Sequence, residues 1–263
     1  MEFFIIGITA FVAAGVTVLS GFGVGTVLMP MFALFFPLEV AIAVTAVIHG
    51  VNRLPHIFWK KSMVERELII RFGFPAMGAA VAGAVLLVIL AEMKQWAIFP
   101  IGQMTAVITP LKLILAILIL GFGILEMRSE TRTAHYPKSY QPLGGLLSGF
   151  FGGLSGHQGM LRTAFLSRGS LSASVYKNST AVISLLVDAV RFLIYAISMA
   201  WFANEVVCYS FSQWLLVATG LGASLGGIAL GNYLTLKVNV RMLKYVAGIF
   251  IIAVALGLGV GLI

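Results

Sequence analysis

The residues able to do chemistry stand out because the sequence around them is almost wholly apolar. The stretch GLSGHQGMLR, residues 153–162, sets Ser155, Gly156, His157, Gln158 and Arg162 between two hydrophobic runs. A second apolar run carries His49, Asn52, Arg53 and His56, and a third carries Asp188 and Arg191. At helical spacing His49, Arg53 and His56 share one face, and Asp188 and Arg191 share another. Such groups can hold a compact anion or relay a proton, since histidine changes charge near neutral pH. A serine beside a histidine is also the raw material of nucleophilic catalysis.

Whatever these groups do, they do it in lipid. Of 263 residues 60% are hydrophobic and 10% charged, and the mean hydropathy is +1.05. A soluble domain of that length could not cover itself with so little polar surface. Repeated apolar runs near the ~20 residues needed to cross a bilayer predict an all-α polytopic membrane protein. The net charge of +8 sits in short clusters between the runs, which is a topology signal and not a nucleic-acid surface. The lone Cys208 excludes an internal disulfide and a cysteine metal cluster. The histidine pair His49 and His56 has no carboxylate between its members, so no metal site is expected, and the absence of a GxxxxGK[ST] loop argues against direct ATP drive. No cofactor is expected.

The apolar runs are roughly 3–20, 22–36, 38–59, 72–91, 106–127, 141–156, 158–167, 173–200, 210–232 and 242–263. Basic loops at 60–71, 128–138 and 237–244 belong in the cytoplasm. Runs 3–36 and 141–168 then form hairpins that return to the side they started from. The four tryptophans, Trp59, Trp96, Trp201 and Trp214, fall at expected helix ends, where amphipathic rings favour the interface.

The chain also repeats itself. A shift of 135 residues lays Leu19-Ser20-Gly21 on Leu154-Ser155-Gly156 and Thr45-Ala46-Val47-Ile48 on Thr180-Ala181-Val182-Ile183. Nearby offsets place Gly78 and Gly83 on Gly222 and Gly227. Each half reads as a broken hairpin followed by three spans, so the halves should be inserted in opposite senses. The expected division is a first repeat over 1–127, a cytoplasmic linker over 128–140 and an inverted second repeat over 141–263. Inverted repeats with broken helices are the build of many secondary transporters, with substrate near the midplane. Glycine lets the backbone turn and approach a ligand at such a break, and a half-helix N-terminus there favours an anion. Small residues at four-residue spacing, Gly145, Gly149 and Gly153, read better as a tight helix-packing stripe. Under the same shift Arg53 falls on Asp188, so an Arg53–Asp188 pair across the repeat interface is one reading. The others pair Asp188 with Arg191 on its own helix, or let Arg53 reach the inner surface.

The break GFGVGT at residues 21–26 and the motif GGLSGHQGMLR-(x)-AF in the second half resemble the TauE/SafE family of sulfite exporters, over essentially the whole chain. Many members have three consecutive glycines where this sequence has Gly-Phe-Gly-Val-Gly. The resemblance implies a secondary transporter, exporting sulfite, a sulfonate or a related organic acid under an ion gradient. The expected substrate-binding residues are Gly21, Phe22, Gly23, Asn52, Arg53, Ser155, Gly156, His157, Gln158 and Arg162. The residues expected to couple or gate are His49, His157, Asp188 and Arg191. Partners would be a small anion, the lipid bilayer of the plasma membrane, and protons or other ions as the coupling species, with no nucleic acid. Two alternatives remain at this level. An anion channel can use breaks and cationic rings too. Residues 153–156 also fit the GxSG pattern of rhomboid proteases, but no histidine follows His157, and His157 would point away from Ser155 along a continuous helix.

Overall fold

The computed structural model describes residues 2–20, 24–58, 63–102, 104–128, 136–166, 171–201, 211–234 and 240–263. The break residues Gly21, Phe22 and Gly23 lie outside the described residues, as do Trp59 and the side chain of Asn52.

Helix α1 (Glu2–Ser20) is followed by the short α2 (Val24–Ala33) and by α3 (Leu38–Phe58). A three-residue α4 (Arg66–Leu68), a π-helical turn (Ile69–Gly73) and α5 (Phe74–Ala91) run on as one rod. After a two-stranded ribbon come α6 (Pro110–Arg128), α7 (Gln141–Ser155), α8 (Gln158–Phe165), α9 (Ala173–Trp201), α10 (Phe211–Leu234) and α11 (Val240–Val260). Three described helical segments are long and apolar enough to cross a membrane: Arg66–Ala91, Ser174–Ser198 and Trp214–Gly231. Shorter apolar segments in α1, α3, α6 and α11 accompany them. The protein is an all-α polytopic membrane protein.

The ribbon departs from expectation. Residues 97–108 read as loop and helix start, yet Ala97–Ile101 and Met104–Ile108 pair antiparallel, with Ala97 opposite Ile108. β-branched and aromatic residues dominate both strands, which suits a pleated surface. Val107 N–H also donates to Gly261 O at 2.9 Å, tying the ribbon to the end of α11. Trp96 therefore precedes a strand and does not end a helix. The rod also begins at Arg66, six residues before the apolar run that announced it.

The helices pair across the halves. α1 packs on α10, α5 on α7, α3 on α9 and α6 on α11. If α1 is exchanged with α7, α5 with α10, α3 with α9 and α6 with α11, this set of pairs maps onto itself. Glycines explain how close the first two pairs come. A Cβ on Gly145, Gly149 or Gly153 would strike the carbonyl oxygens of Phe72, Ala76 and Ala80 respectively. A Cβ on Gly83 would likewise meet Phe150 O, and one on Gly227 would meet Phe11 O. The four-residue stripe is thus a contact between two backbones, and the sequence-related Gly83 and Gly227 do the same task in the two halves.

Candidate functional site

The break in the second half is built by the residues around Gly156. α7 ends at Ser155, and Gly156 takes φ +81°, a left-handed conformation that glycine adopts without penalty. α8 then starts at Gln158 in a new direction. Gly152 O keeps the Gly156 N–H at 2.9 Å as its helical partner, and α9 adds side-chain donors to the carbonyls at the end of α7, which helix geometry leaves short of partners. Arg191 Nη1 donates to Gly152 O at 3.3 Å, and the Tyr195 hydroxyl donates to Gly153 O. Ser148 Oγ donates to Gln158 O at 2.9 Å, closing the hairpin from the other side.

Beside this break lies a chain of polar contacts from three helices. His49 Nδ1 on α3 is 2.5 Å from Asp188 Oδ2 on α9. A carboxylate only accepts, so Nδ1 carries the proton and Nε2 is left as an acceptor in the neutral ring. Arg53 Nη2 faces that Nε2 at 3.4 Å. The other carboxylate oxygen, Oδ1, receives Gln158 Nε2 of α8 at 2.9 Å and lies 2.8 Å from Arg191 Nη2. Gln158 Oε1 in turn accepts from Arg162 Nη1 at 3.4 Å, and the same nitrogen donates to Ser184 Oγ. Asp188 is 2% exposed, Gln158 1% and Arg191 0%.

One guanidinium, that of Arg191, therefore touches the carboxylate, those of Arg53 and Arg162 are linked to it through His49 and Gln158, and Asp188 is the only aspartate in the chain. Not all of their donors are spent. Arg53 Nε and Arg191 Nε are buried without a hydrogen-bond partner, and Arg191 Nη2 touches Asp188 without the alignment of a hydrogen bond. Buried polar groups are normally satisfied, and charged ones most of all. With neutral histidines the cluster is left with excess positive charge.

The direct partner of Asp188 across the helices is His49; Arg53 stands one turn further along α3 and reaches the carboxylate only through His49. Asp188 also pairs with Arg191 on its own helix, so two of the sequence readings merge into one network. His157 sits apart from that network. Its ring stacks on Phe122 of α6, with centroids 5.4 Å apart and planes 9° off parallel. The expectation that it would point away from Ser155 fails, because the left-handed Gly156 turns the chain and brings Nδ1 to 3.0 Å from both Ser155 O and Ser155 Oγ. A carbonyl accepts, so Nδ1 is again protonated and cannot take a proton from the serine. Ser155 Oγ donates instead to Phe151 O. His157 Nε2 is left buried with no partner.

Tyr195, Ser184 and Ser148 were not anticipated. Tyr195 follows Asp188 by seven residues and Arg191 by four, so the helical face already in hand would have included it. Ser184 precedes Asp188 by one turn on that face. Ser148 carries no such sign.

The family model for the sulfite exporter TauE/SafE matches residues 6–258. The chain belongs to that family. No curated protein and no solved structure gives a significant match. As a TauE/SafE member the chain is a multi-pass membrane transporter of the sulfite or anion exporter type.

Proposed function

We propose that the chain exports a small oxyanion, such as sulfite, a sulfonate or a related organic acid, by alternating access, and that the cluster around Asp188 is where the anion is held. The observation that carries this reading is the imbalance of charge at the cluster: the buried Arg162 and Arg191 and the part-buried Arg53 against one carboxylate, with unspent guanidinium donors. An anion entering the cluster would supply the missing charge, taking donors from Arg53, Arg162, Arg191 and Gln158. Asp188 acts as the resident counter-ion while the site is empty. The N-terminus of α8, where Gln158 stands, favours the same charge.

The two halves, 1–127 and 141–263, are inserted in opposite senses in the plasma membrane, with the linker 128–140 in the cytoplasm and the anion near the midplane. Drive comes from an ion gradient, with the His49–Asp188 pair as the proton-handling element. Gly21, Phe22 and Gly23 are assigned to the same anion from the first half, on the repeat that lays Leu19-Ser20-Gly21 on Leu154-Ser155-Gly156.

Protein reconstituted into liposomes and loaded with radiolabelled sulfite or methanesulfonate tests the reading. Efflux should exceed that of empty liposomes and fall at least tenfold in the double variant Arg53→Ala, Gln158→Ala. Equal efflux from the variant would remove the cluster from the transport path.

A further inference from the structure

The last residues of the segment between the halves are fastened on two sides. Tyr136 lays its ring on that of Phe165, the last residue of α8, with centroids 4.9 Å apart and planes 20° off parallel. Two residues on, Lys138 Nζ reaches Glu67 Oε2 of α4 at 3.3 Å, and Glu67 also holds Arg71 of the π-helical turn at 3.2 Å. Pro137 fixes a backbone angle between these two side chains. The Tyr140 N–H then closes a 3₁₀ turn (Lys138–Tyr140) on Pro137 O at 3.0 Å before α7 begins. Residues 136–140 therefore bridge from the rod to the half-helix that enters the arginine cluster.

What this bridge holds is the seat of α8. Gln158, Arg162 and Phe165 follow one another at i, i+4 and i+7, so they share a face of that helix. Two of them are in the polar network and the third is under Tyr136. A movement of α8 that frees Phe165 thus draws Arg162 away from Ser184 on α9. Next to Phe165, Leu166 is fully buried in a small core with Leu68, Phe72, Ile183 and Val187, separate from the main one. Small packed units open locally at less cost than the whole fold. The fastening beside this one is also weak by kind. Lys138 and Glu67 are 70% and 43% exposed, where an ion pair is worth little and salt screens it.

We propose that residues 136–140 are a strap that seats α8, and that the strap must let go before the cluster opens on the linker's side. This goes beyond the anion-binding reading and rests on its alternating access, in which one face of the site has to open. Tyr136 is then a positioning residue, acting on Arg162 through Phe165. An anion that draws Arg162 into the cluster pulls α8 into the same seat.

The test follows one buried thiol, Leu166→Cys in a Cys208→Ser background, as it reacts with N-ethylmaleimide in lipid nanodiscs. Tyr136→Ala should speed labelling by about three- to tenfold, through loss of the stacked pair. Tyr136→Phe keeps the ring and should leave the rate unchanged. Glu67→Gln should speed labelling about twofold, and salt at about 1 M should do the same where Glu67 is present. Sulfite should slow labelling when the strap is intact. Rates indifferent to both Tyr136→Ala and Glu67→Gln overturn the strap. Hydrogen exchange of residues 158–166, without the reporter cysteine, gives a second measurement. Tyr136→Ala should speed exchange there and leave 141–155 as it was; equal acceleration of both segments overturns the strap, since Tyr136 would then only support folding. A strap effect that persists while sulfite protects nothing overturns the anion-binding reading and leaves the strap standing.

Discussion

His49 and Asp188 meet at 2.5 Å across the α3–α9 contact, and each is held from behind by an arginine, Arg53 on one side and Arg191 on the other. The carboxylate thereby receives a hydrogen bond on each oxygen and a guanidinium beside one of them. Removing it leaves the buried Arg162 and Arg191, and the part-buried Arg53, without that counter-ion. Asp188→Asn should therefore lower thermal stability in the absence of anion, by about 3–5 kcal/mol if the cations stay buried. Added sulfite should then restore more stability to the variant than to the unmodified protein. An equal response in both would mean that the anion does not compete with Asp188.

His49→Gln keeps a donor near Asp188 but has no charge change between about pH 5 and 8. If the pair handles the coupling proton, the variant's efflux should become independent of pH across that window while its response to sulfite in thermal shift persists. The measurement is initial efflux at fixed anion concentration and varied internal pH. A pH profile unchanged from that of the unmodified protein would place the coupling elsewhere.

Gly149→Ala and Gly227→Ala each drive a methyl group into a backbone carbonyl, of Ala76 and Phe11 respectively. Neither backbone can yield cheaply, so each should be destabilised by at least ~1–3 kcal/mol and elute poorly by size exclusion in detergent. Gly78→Ala and Gly121→Ala meet nothing within 4 Å and should lie within about 0.5 kcal/mol of the unmodified protein.

Gly156→Ala combines two penalties. The left-handed φ of +81° costs a non-glycine residue roughly 1–2 kcal/mol, and the new Cβ would lie 2.7 Å from Arg191 Nη1. Efflux should fall further than stability does, because the guanidinium that is pushed aside belongs to the cluster. A loss of efflux no greater than the loss of folded protein would make Gly156 a turn residue only.

In a Cys208→Ser background, single cysteines at Pro37 and Glu92 should react with an impermeant thiol reagent in intact cells, and those at Met63 and Lys138 should not. Labelling of Met63→Cys from outside would overturn the inverted arrangement of the halves.

The helices were legible because apolar length is a strong signal, and the rod at Arg66–Ala91 was missed only in its polar first turns. The ribbon at 97–108 was not legible, since its short strands adjoin an apolar helix and share its composition. At the site, residue type marked Asp188, Arg191, His49 and Arg53 as costly in lipid, but partner choice was beyond reach: alignment of the halves set Arg53 opposite Asp188, and one helical turn decides for His49 instead. His157 shows the other limit. Its contact with Ser155 depends on the sign of one φ at Gly156, which a continuous-helix reading replaces with the opposite geometry.

The packing of α1 on α10 carries a consequence for how the chain is made. A ribosome delivers α1 about 200 residues before α10, so the carbonyl of Phe11 waits for Gly227 while all the helices between them are made. Meanwhile α1 has no permanent neighbour for its α10-facing side. Long-range pairings of this kind slow assembly and expose unpaired surfaces, and neither half holds the partner its own first helix needs. Expressed separately, residues 1–127 and 141–263 should each be unstable in the membrane, and only their co-expression should return a folded protein.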